Sequence, residues 1–156
     1  MVVEPSFVVN PLTVSVNAKG KTRLVLDLRH VNQFVEKQKV KFEGVKEGLE
    51  YARQKQYMIK FDLRSGYHHI DIHSEFQKYL GFSWEIEGKR RYFEFTVLPF
   101  GLSSAGHIFT KVVRVSVKYW RSFGVPIVVY LDDGWVCADY NSCLDIAKLL
   151  QNTLDN

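Results

Sequence analysis

One junction constrains this chain more than any other feature. The apolar, β-branched run Val125-Pro126-Ile127-Val128-Val129-Tyr130-Leu131 leads into Asp132-Asp133-Gly134, and Trp135-Val136-Cys137-Ala138 leads away from it. Runs of this kind read as strands, and Asp-Gly between them signals a hairpin, with Gly134 taking the positive φ of a tight turn. The turn needs Gly134 but not two aspartates. Strongly apolar strands that end in acid point to a cation at the tip. Hard divalent ions such as Mg²⁺ are held by a few carboxylates together with substrate phosphates, so a further carboxylate is expected from elsewhere in the chain. Tyr57-Met58-Ile59-Lys60-Phe61-Asp62 is the candidate, a second apolar strand ending in acid. If it pairs beside the hairpin, Asp62 and Asp132 come within reach of two metal ions about 3.5–4 Å apart. On the residues alone, Asp62 reads equally well as a turn-former closing its strand.

Composition bounds the rest. The 156 residues, 46% hydrophobic and 24% charged, suit one globular domain with a sizeable core. A net charge of +4 and a pI near 9.0 favour an anionic partner without requiring one. Cys137 and Cys143 match no zinc spacing and read as reduced and structural, which fits an intracellular, cytoplasmic setting. Met1 to Pro5 lack the basic start and apolar core of a signal peptide. No apolar run approaches the roughly 20 residues needed to cross a bilayer, so no membrane association is expected. Gln151 to Asn156 end inside a helical pattern with no cap, so truncation is expected.

Taken in order, residues 12–17 and 22–28 read as strands joined by Ala18-Lys19-Gly20-Lys21, a basic tip that suits a triphosphate or simply a solvated loop. A helix at 45–54 would turn Val45, Leu49 and Ala52 toward a sheet. His68, His69 and His73 sit in an alternating stretch that puts no two of them on a helical face, so a zinc role is disfavoured. Ser74 would cap a short turn. Residues 79–86 and 91–96 form a second hairpin around Glu87-Gly88-Lys89-Arg90, its aromatics serving as core. Pro99 stops a strand before a helix at about 105–123. Along it Lys111, Arg114, Lys118 and Arg121 form a basic stripe, read as solvated, while Ile108, Val112, Val115 and Tyr119 form an apolar stripe facing the core. Asn141 would cap a last helix, 142–154, laying Leu144, Ala147, Leu149 and Leu150 on the back of the sheet.

Three stretches then stand together: Phe61-Asp62-Leu63-Arg64-Ser65-Gly66-Tyr67, Leu98-Pro99-Phe100-Gly101-Leu102-Ser103-Ser104-Ala105 and Tyr130-Leu131-Asp132-Asp133. In this order and spacing they resemble the core motifs of reverse transcriptases, with wording most similar to LTR-type and tyrosine-recombinase (DIRS-type) retroelements. The likeness runs from about Pro11 to the end, and Arg23, Asp27, Arg29 and Asn32 fill the family's Arg-x-x-x-Asp-x-Arg-x-x-Asn pattern. The resemblance implies an α+β fold, a right-hand polymerase palm of antiparallel sheet backed by helices. Fingers would lie at about 1–40 and 79–96, palm at about 41–78 and 97–156, with the thumb missing. It implies an RNA-directed DNA polymerase, a nucleotidyltransferase, clipped from a retroelement polyprotein, acting on an RNA or DNA template-primer and dNTP. Asp62, Asp132 and Asp133 would be catalytic and hold two Mg²⁺ ions, or Mn²⁺ in their place, with the Leu63 carbonyl as a further ligand. Lys21 (or Lys19), Arg23 and Arg64 would meet the triphosphate. Tyr67 would exclude a 2′-hydroxyl, Phe100 and Gly101 would lie beside the nascent base pair, and Tyr130 and Leu131 would face template and primer.

Gly106 departs from the family's usual proline and implies a looser helix start. Without metal the carboxylates are expected to repel one another. Thumb, connection and RNase H regions of the same polyprotein would be partners, and this piece alone is expected to lack processive activity. The family setting extends the location to the nucleus or a virus-like particle. Two alternatives stand beside this reading: an RNA-templated RNA polymerase palm, and a truncated, catalytically incompetent remnant that binds nucleic acid.

Overall fold

Apolar runs broken by glycine, proline and short polar turns give short strands, and the longer 3.6-residue patterns give two long helices. The computed structural model describes residues 4–16, 18, 20, 22–53 and 56–154. In chain order the strands are β1 (Val9–Asn10), β2 (Leu12–Val16), β3 (Thr22–Leu26), β4 (Tyr57–Asp62), β5 (Gly81–Ile86), β6 (Lys89–Glu94), β7 (Ile127–Tyr130) and β8 (Asp133–Ala138). The helices are α1 (Val45–Tyr51), α2 (Ser74–Gln77), α3 (Ala105–Ser122) and α4 (Tyr140–Leu154), with 3₁₀ turns at Val31–Gln33 and Gly66–His69. This is the expected α+β fold. The chain forms two compact units, Met1–Gln38 with Ser65–Ala105, and Lys39–Arg64 with Gly106–Asn156.

In the first unit β2 and β3 pair antiparallel, and β6 pairs antiparallel with β5. Its core gathers Leu26, Leu28, Val31 and Leu80, with Phe82 and Phe95 packed against them. Phe82 also stacks on Phe93 at 5.4 Å between ring centres, so these aromatics are core as expected, whereas Trp84 stays 45% exposed. β1 is too short to show a periodicity. Its parallel pairing with β5 is fixed by Asn10, buried and donating its amide to the Tyr79 and Gly81 carbonyls at 2.9 and 3.0 Å. A buried amide with both hydrogens matched specifies a register more sharply than apolar contact does. Lys19 and Lys21 lie outside the described residues. The cap of α2 is His73, whose Nδ1 accepts from the Glu75 amide at 3.4 Å, rather than Ser74.

The second unit carries a three-stranded antiparallel sheet in the order β4-β8-β7. Phe109, Val113, Val117 and Trp120 are its buried α3 residues. The stripe read as core-facing is instead exposed, with Val112 at 51%, Val115 at 70% and Tyr119 at 48%. Both stripes are apolar, so periodicity alone could not choose between them. On α1 the expectation also reverses: Val45 and Leu49 face solvent, and Gly48 is the buried residue. A side chain at 48 would collide with the Trp135 indole, so glycine here is a packing requirement. Asp139, not Asn141, caps α4. Its carboxylate accepts from the Ser142 amide and hydroxyl at 3.0 and 2.6 Å, bonds that hold its pKa below the usual carboxylate value. Cys137 and Cys143 are both buried and free.

Candidate functional site

The register of β4 on β8 runs from Tyr57 opposite Ala138 to Asp62 opposite Asp133. Two acids expected to meet therefore face each other across one rung, where Cβ atoms stand about 4.5–5.5 Å apart. Asp132 follows on the same end of the sheet, because the Leu63 amide donates to the Asp132 carbonyl at 2.8 Å. All three acids thus belong to one unit and one end of one sheet, with β8, which carries Asp133, the central strand. Asp62 and Asp133 are exposed and Asp132 is half-buried.

The turn differs from the expectation. Tyr130 pairs with Asp133, so the two turn residues are Leu131 and Asp132. Leu131, not Gly134, takes the positive φ, at +54°. Gly134 lies within β8, where an added Cβ would collide with the Phe61 ring. The Asp-Gly signal was therefore right about the hairpin and wrong about why the glycine is there.

Like charges directly opposite one another destabilise a sheet. Side chains alternate along a strand, so Lys60 shares a face with Asp62, and its ammonium lies 3.1 Å from an Asp133 carboxylate oxygen. A cation of the chain's own is thus already drawn to the acids and offsets the repulsion expected there. Among the described residues no three His, Cys, Asp or Glu side chains are gathered tightly enough to hold a metal ion. The donors expected from the sequence, three carboxylates and the Leu63 carbonyl, are all oxygen, the chemistry that suits a hard divalent cation. With an ammonium attracted to the same carboxylates, the residues present fit such an ion.

Two α3 arginines read as solvated are engaged within this unit. Arg121 meets the Glu43 carboxylate at 2.7 Å and the Ile127 carbonyl at 2.8 Å, and the Glu43 bond raises its pKa above the ordinary guanidinium value. Arg114 donates to the Lys41 carbonyl. Nothing in the sequence marked Glu43, whose partner lies 78 positions away. Lys60 could have been found from strand alternation alone.

Of the other expected nucleotide-binding residues that are described, Arg64 lies in the exposed turn after β4, and Arg23, Tyr67, Phe100 and Gly101 fall in the first unit. Tyr67 sits in the 3₁₀ turn that follows Ser65, itself at φ +55°. Its ring lies 4.9 Å from Phe100, and the His68 ring lies 5.4 Å from Phe100 on a steeper tilt. Gly101 adopts φ +93°, a left-handed conformation that favours glycine. Asn32 ties this loop at two points, donating to the Gly101 carbonyl at 2.9 Å and accepting from the Ser103 amide at 2.8 Å. Sequence reading placed Asn32 in a motif without seeing this clamp. Arg23 is exposed on β3 opposite Ser15. Arg29 forks onto Asp27, and those bonds pull the Asp27 pKa down to about 2.

Residues 13–156 match the sequence family described as reverse transcriptase (RNA-dependent DNA polymerase). The chain is 30% identical, over 83% of its length, to 18% of an enzymatic polyprotein of Cassava vein mosaic virus. It is 29% identical, over 76% of its length, to 5% of the genome polyprotein of Petunia vein clearing virus. Among solved structures it resembles a foamy viral protease-reverse transcriptase in complex with dsDNA, with a TM-score of 0.81 and 27% identity over 98% of this chain and 31% of that one. A foamy viral protease-reverse transcriptase in complex with an RNA/DNA hybrid matches at a TM-score of 0.75 and 25% identity, over 99% of this chain and 19% of that one. The chain therefore spans under a third of the length of these relatives. No described helix is long and apolar enough to cross a membrane.

Proposed function

We propose, because this chain belongs to the reverse transcriptase (RNA-dependent DNA polymerase) family, that it is the nucleotidyl-transfer part of a longer retroelement polyprotein of the LTR or DIRS type and adds deoxynucleotides to a primer on an RNA or DNA template. The observation that carries the proposal is the register that sets Asp62 opposite Asp133 and ties Leu63 to Asp132. Asp62, Asp132, Asp133 and the Leu63 carbonyl would hold two Mg²⁺ ions, or Mn²⁺. Bound there, the ions supply a lowered pKa at the primer 3′-hydroxyl and charge neutralisation at the leaving pyrophosphate. The carboxylates' part is to fix the ions' positions at the rim of a rigid sheet, where β pairing holds each backbone.

The remaining roles follow the family resemblance. Arg23, Arg64 and Lys21 would take the triphosphate, since guanidinium forks and an ammonium suit phosphate oxygens. Tyr67, packed on Phe100, presents a ring with one face already committed, a rigid stop for a 2′-hydroxyl. Gly101 leaves space where a side chain would reach the base pair. Tyr130, 50% exposed, and Leu131 would touch template and primer. In this reading residues 1–40 and 79–96 serve as fingers and 41–78 and 97–156 as palm. Thumb, connection and RNase H regions of the same polyprotein complete the enzyme inside the cell, in cytoplasm, nucleus or virus-like particle.

The test is single-nucleotide addition to a primer-template by this chain, with Mg²⁺ and one complementary dNTP. Asp62→Asn and Asp132→Asn are each expected to lower addition at least about a hundredfold, as loss of a shared metal ligand does. Addition that survives both substitutions would place the chemistry elsewhere.

A further inference from the structure

β7 is an outer strand, with β8 on one side of it. Tyr130 and Asp133 flank a two-residue turn and so form a hydrogen-bonded pair, and such pairs alternate along an antiparallel ladder. Val128 with Trp135 is the next bonded pair. Ile127 and Val129 therefore direct their amides and carbonyls away from β8; the Ile127 amide is taken by the Val125 carbonyl at 2.9 Å, which leaves the Ile127 carbonyl and the Val129 amide toward the open edge. Exposed edges are normally covered by another strand, a bulge or a charge, because each unmatched backbone group is a liability.

Here two side chains take that edge. Arg121 donates to the Ile127 carbonyl at 2.8 Å, and the Val129 amide points at a Glu43 carboxylate oxygen across a long 3.5 Å. The same guanidinium nitrogen and carboxylate oxygen meet each other at 2.7 Å. The ion pair thus offers β7 a donor and an acceptor two residues apart, as a neighbouring strand would. The segment bearing Glu43 is fastened twice more: Arg114 holds the Lys41 carbonyl, and the Phe42 ring lies 5.5 Å from that of Tyr130. Glu43, Thr110, Val129 and Leu131 also line one small cavity of about 20 Å³, room for about one water. Leu131 holds a left-handed φ, which persists only where its surroundings over-determine it.

We propose that Lys41–Glu43 is a strap that sets the position of the acidic turn, with Glu43 and Arg121 as positioning residues. They act through the β7 edge and touch neither substrate nor metal. The proposal rests on the reading that Asp132 binds a divalent cation. Its test uses Mn²⁺ alone, followed by electron paramagnetic resonance on the 156-residue chain, together with amide exchange at Ile127 to Tyr130.

Glu43→Leu, similar in size but without an acceptor, is expected to weaken Mn²⁺ binding roughly fivefold or more where circular dichroism shows it folded. It should also speed exchange at Val129 about tenfold. Glu43→Gln, which keeps an acceptor, should recover most of both. Folded Glu43→Leu with wild-type Mn²⁺ affinity would make the pair an ordinary structural one and overturn the proposal. If Glu43→Leu does not fold, Phe42→Ala decides: it should weaken Mn²⁺ binding while leaving the ion pair in place, and unchanged affinity overturns the proposal. Asp132→Asn separates the two readings. If it removes no Mn²⁺ binding from the wild type, the assignment of the acids fails, and Val129 exchange still judges the strap, which falls if Glu43→Leu leaves that exchange unchanged.

Discussion

Two tight segments of this chain, the loop at 100–103 and the turn at 130–133, each hold one residue in the left-handed region, and they do it differently. The loop gives the position to Gly101 at φ +93° and is tied by one neutral side chain, Asn32, through two hydrogen bonds. The acidic turn gives it to Leu131 at φ +54°, and charges surround it: Lys60 on Asp133, and Glu43 with Arg121 along the adjoining strand edge. A left-handed backbone costs a side-chain-bearing residue about 1–2 kcal/mol, while glycine adopts it freely. The loop is therefore relaxed and the turn strained. A turn that could have used glycine instead carries a side chain where the family resemblance puts a contact with template and primer.

The largest expected effect on stability falls on the relaxed partner. Asn32→Ala removes two hydrogen bonds at once and leaves the Gly101 carbonyl and Ser103 amide to water, for a loss of about 2 kcal/mol in chemical denaturation. Asn32→Asp keeps the acceptor facing Ser103 and should lose less. Equal losses would mean that the acceptor facing Ser103 contributes nothing and that the bond donated to the Gly101 carbonyl carries the clamp.

The next prediction sets the two left-handed positions against each other. Gly101→Ala puts a Cβ at a strained φ and 3.4 Å from the Leu26 carbonyl, so it should destabilise by about 1–2 kcal/mol. Leu131→Gly releases strain but adds unfolded-state entropy, so its expected change is within about 1 kcal/mol of zero, on the stabilising side. Equilibrium denaturation of both variants measures the difference. If Leu131→Gly loses as much as Gly101→Ala, leucine packing outweighs backbone strain and the contrast between the segments is broken.

What could be read in advance follows from which forces act locally. The hairpin at 127–138 and the pairing beside it of the strand ending at Asp62 were legible, because alternation and turn residues are short-range signals. The place of Gly134 was not, because its reason is the Phe61 ring on the neighbouring strand. Gly48 beneath Trp135 was missed for the same cause: a contact between elements leaves no mark in the spacing of α1. On α3, Phe109, Val113, Val117 and Trp120 compete with an equally apolar stripe, and only the packed sheet decides between them. Glu43 is one acid in a polar stretch, and its meaning depends on an arginine reached through the fold.

The smallest expected effect concerns the charge beside the acids. Lys60 and Asp133 are 68% and 54% exposed, so the pair adds little to folding by itself. Its consequence is for any cation that must take its place. An ammonium near a carboxylate site repels an incoming divalent ion by about 1 kcal/mol in a high-dielectric, salt-screened setting. Lys60→Met should therefore bind Mn²⁺ roughly fivefold more tightly. It should also melt earlier in chelator, because Asp62 and Asp133 then face each other without a counter-charge. The gain in melting temperature on adding Mn²⁺ grows on both counts, since ligand binding to the folded state stabilises with the logarithm of ligand concentration over Kd. Leu131→Gly leaves every charge in place and should show no such gain. A Lys60→Met chain with wild-type affinity would mean that the lysine is a solvated neighbour of the acids, and that strain alone separates this turn from the loop at Gly101.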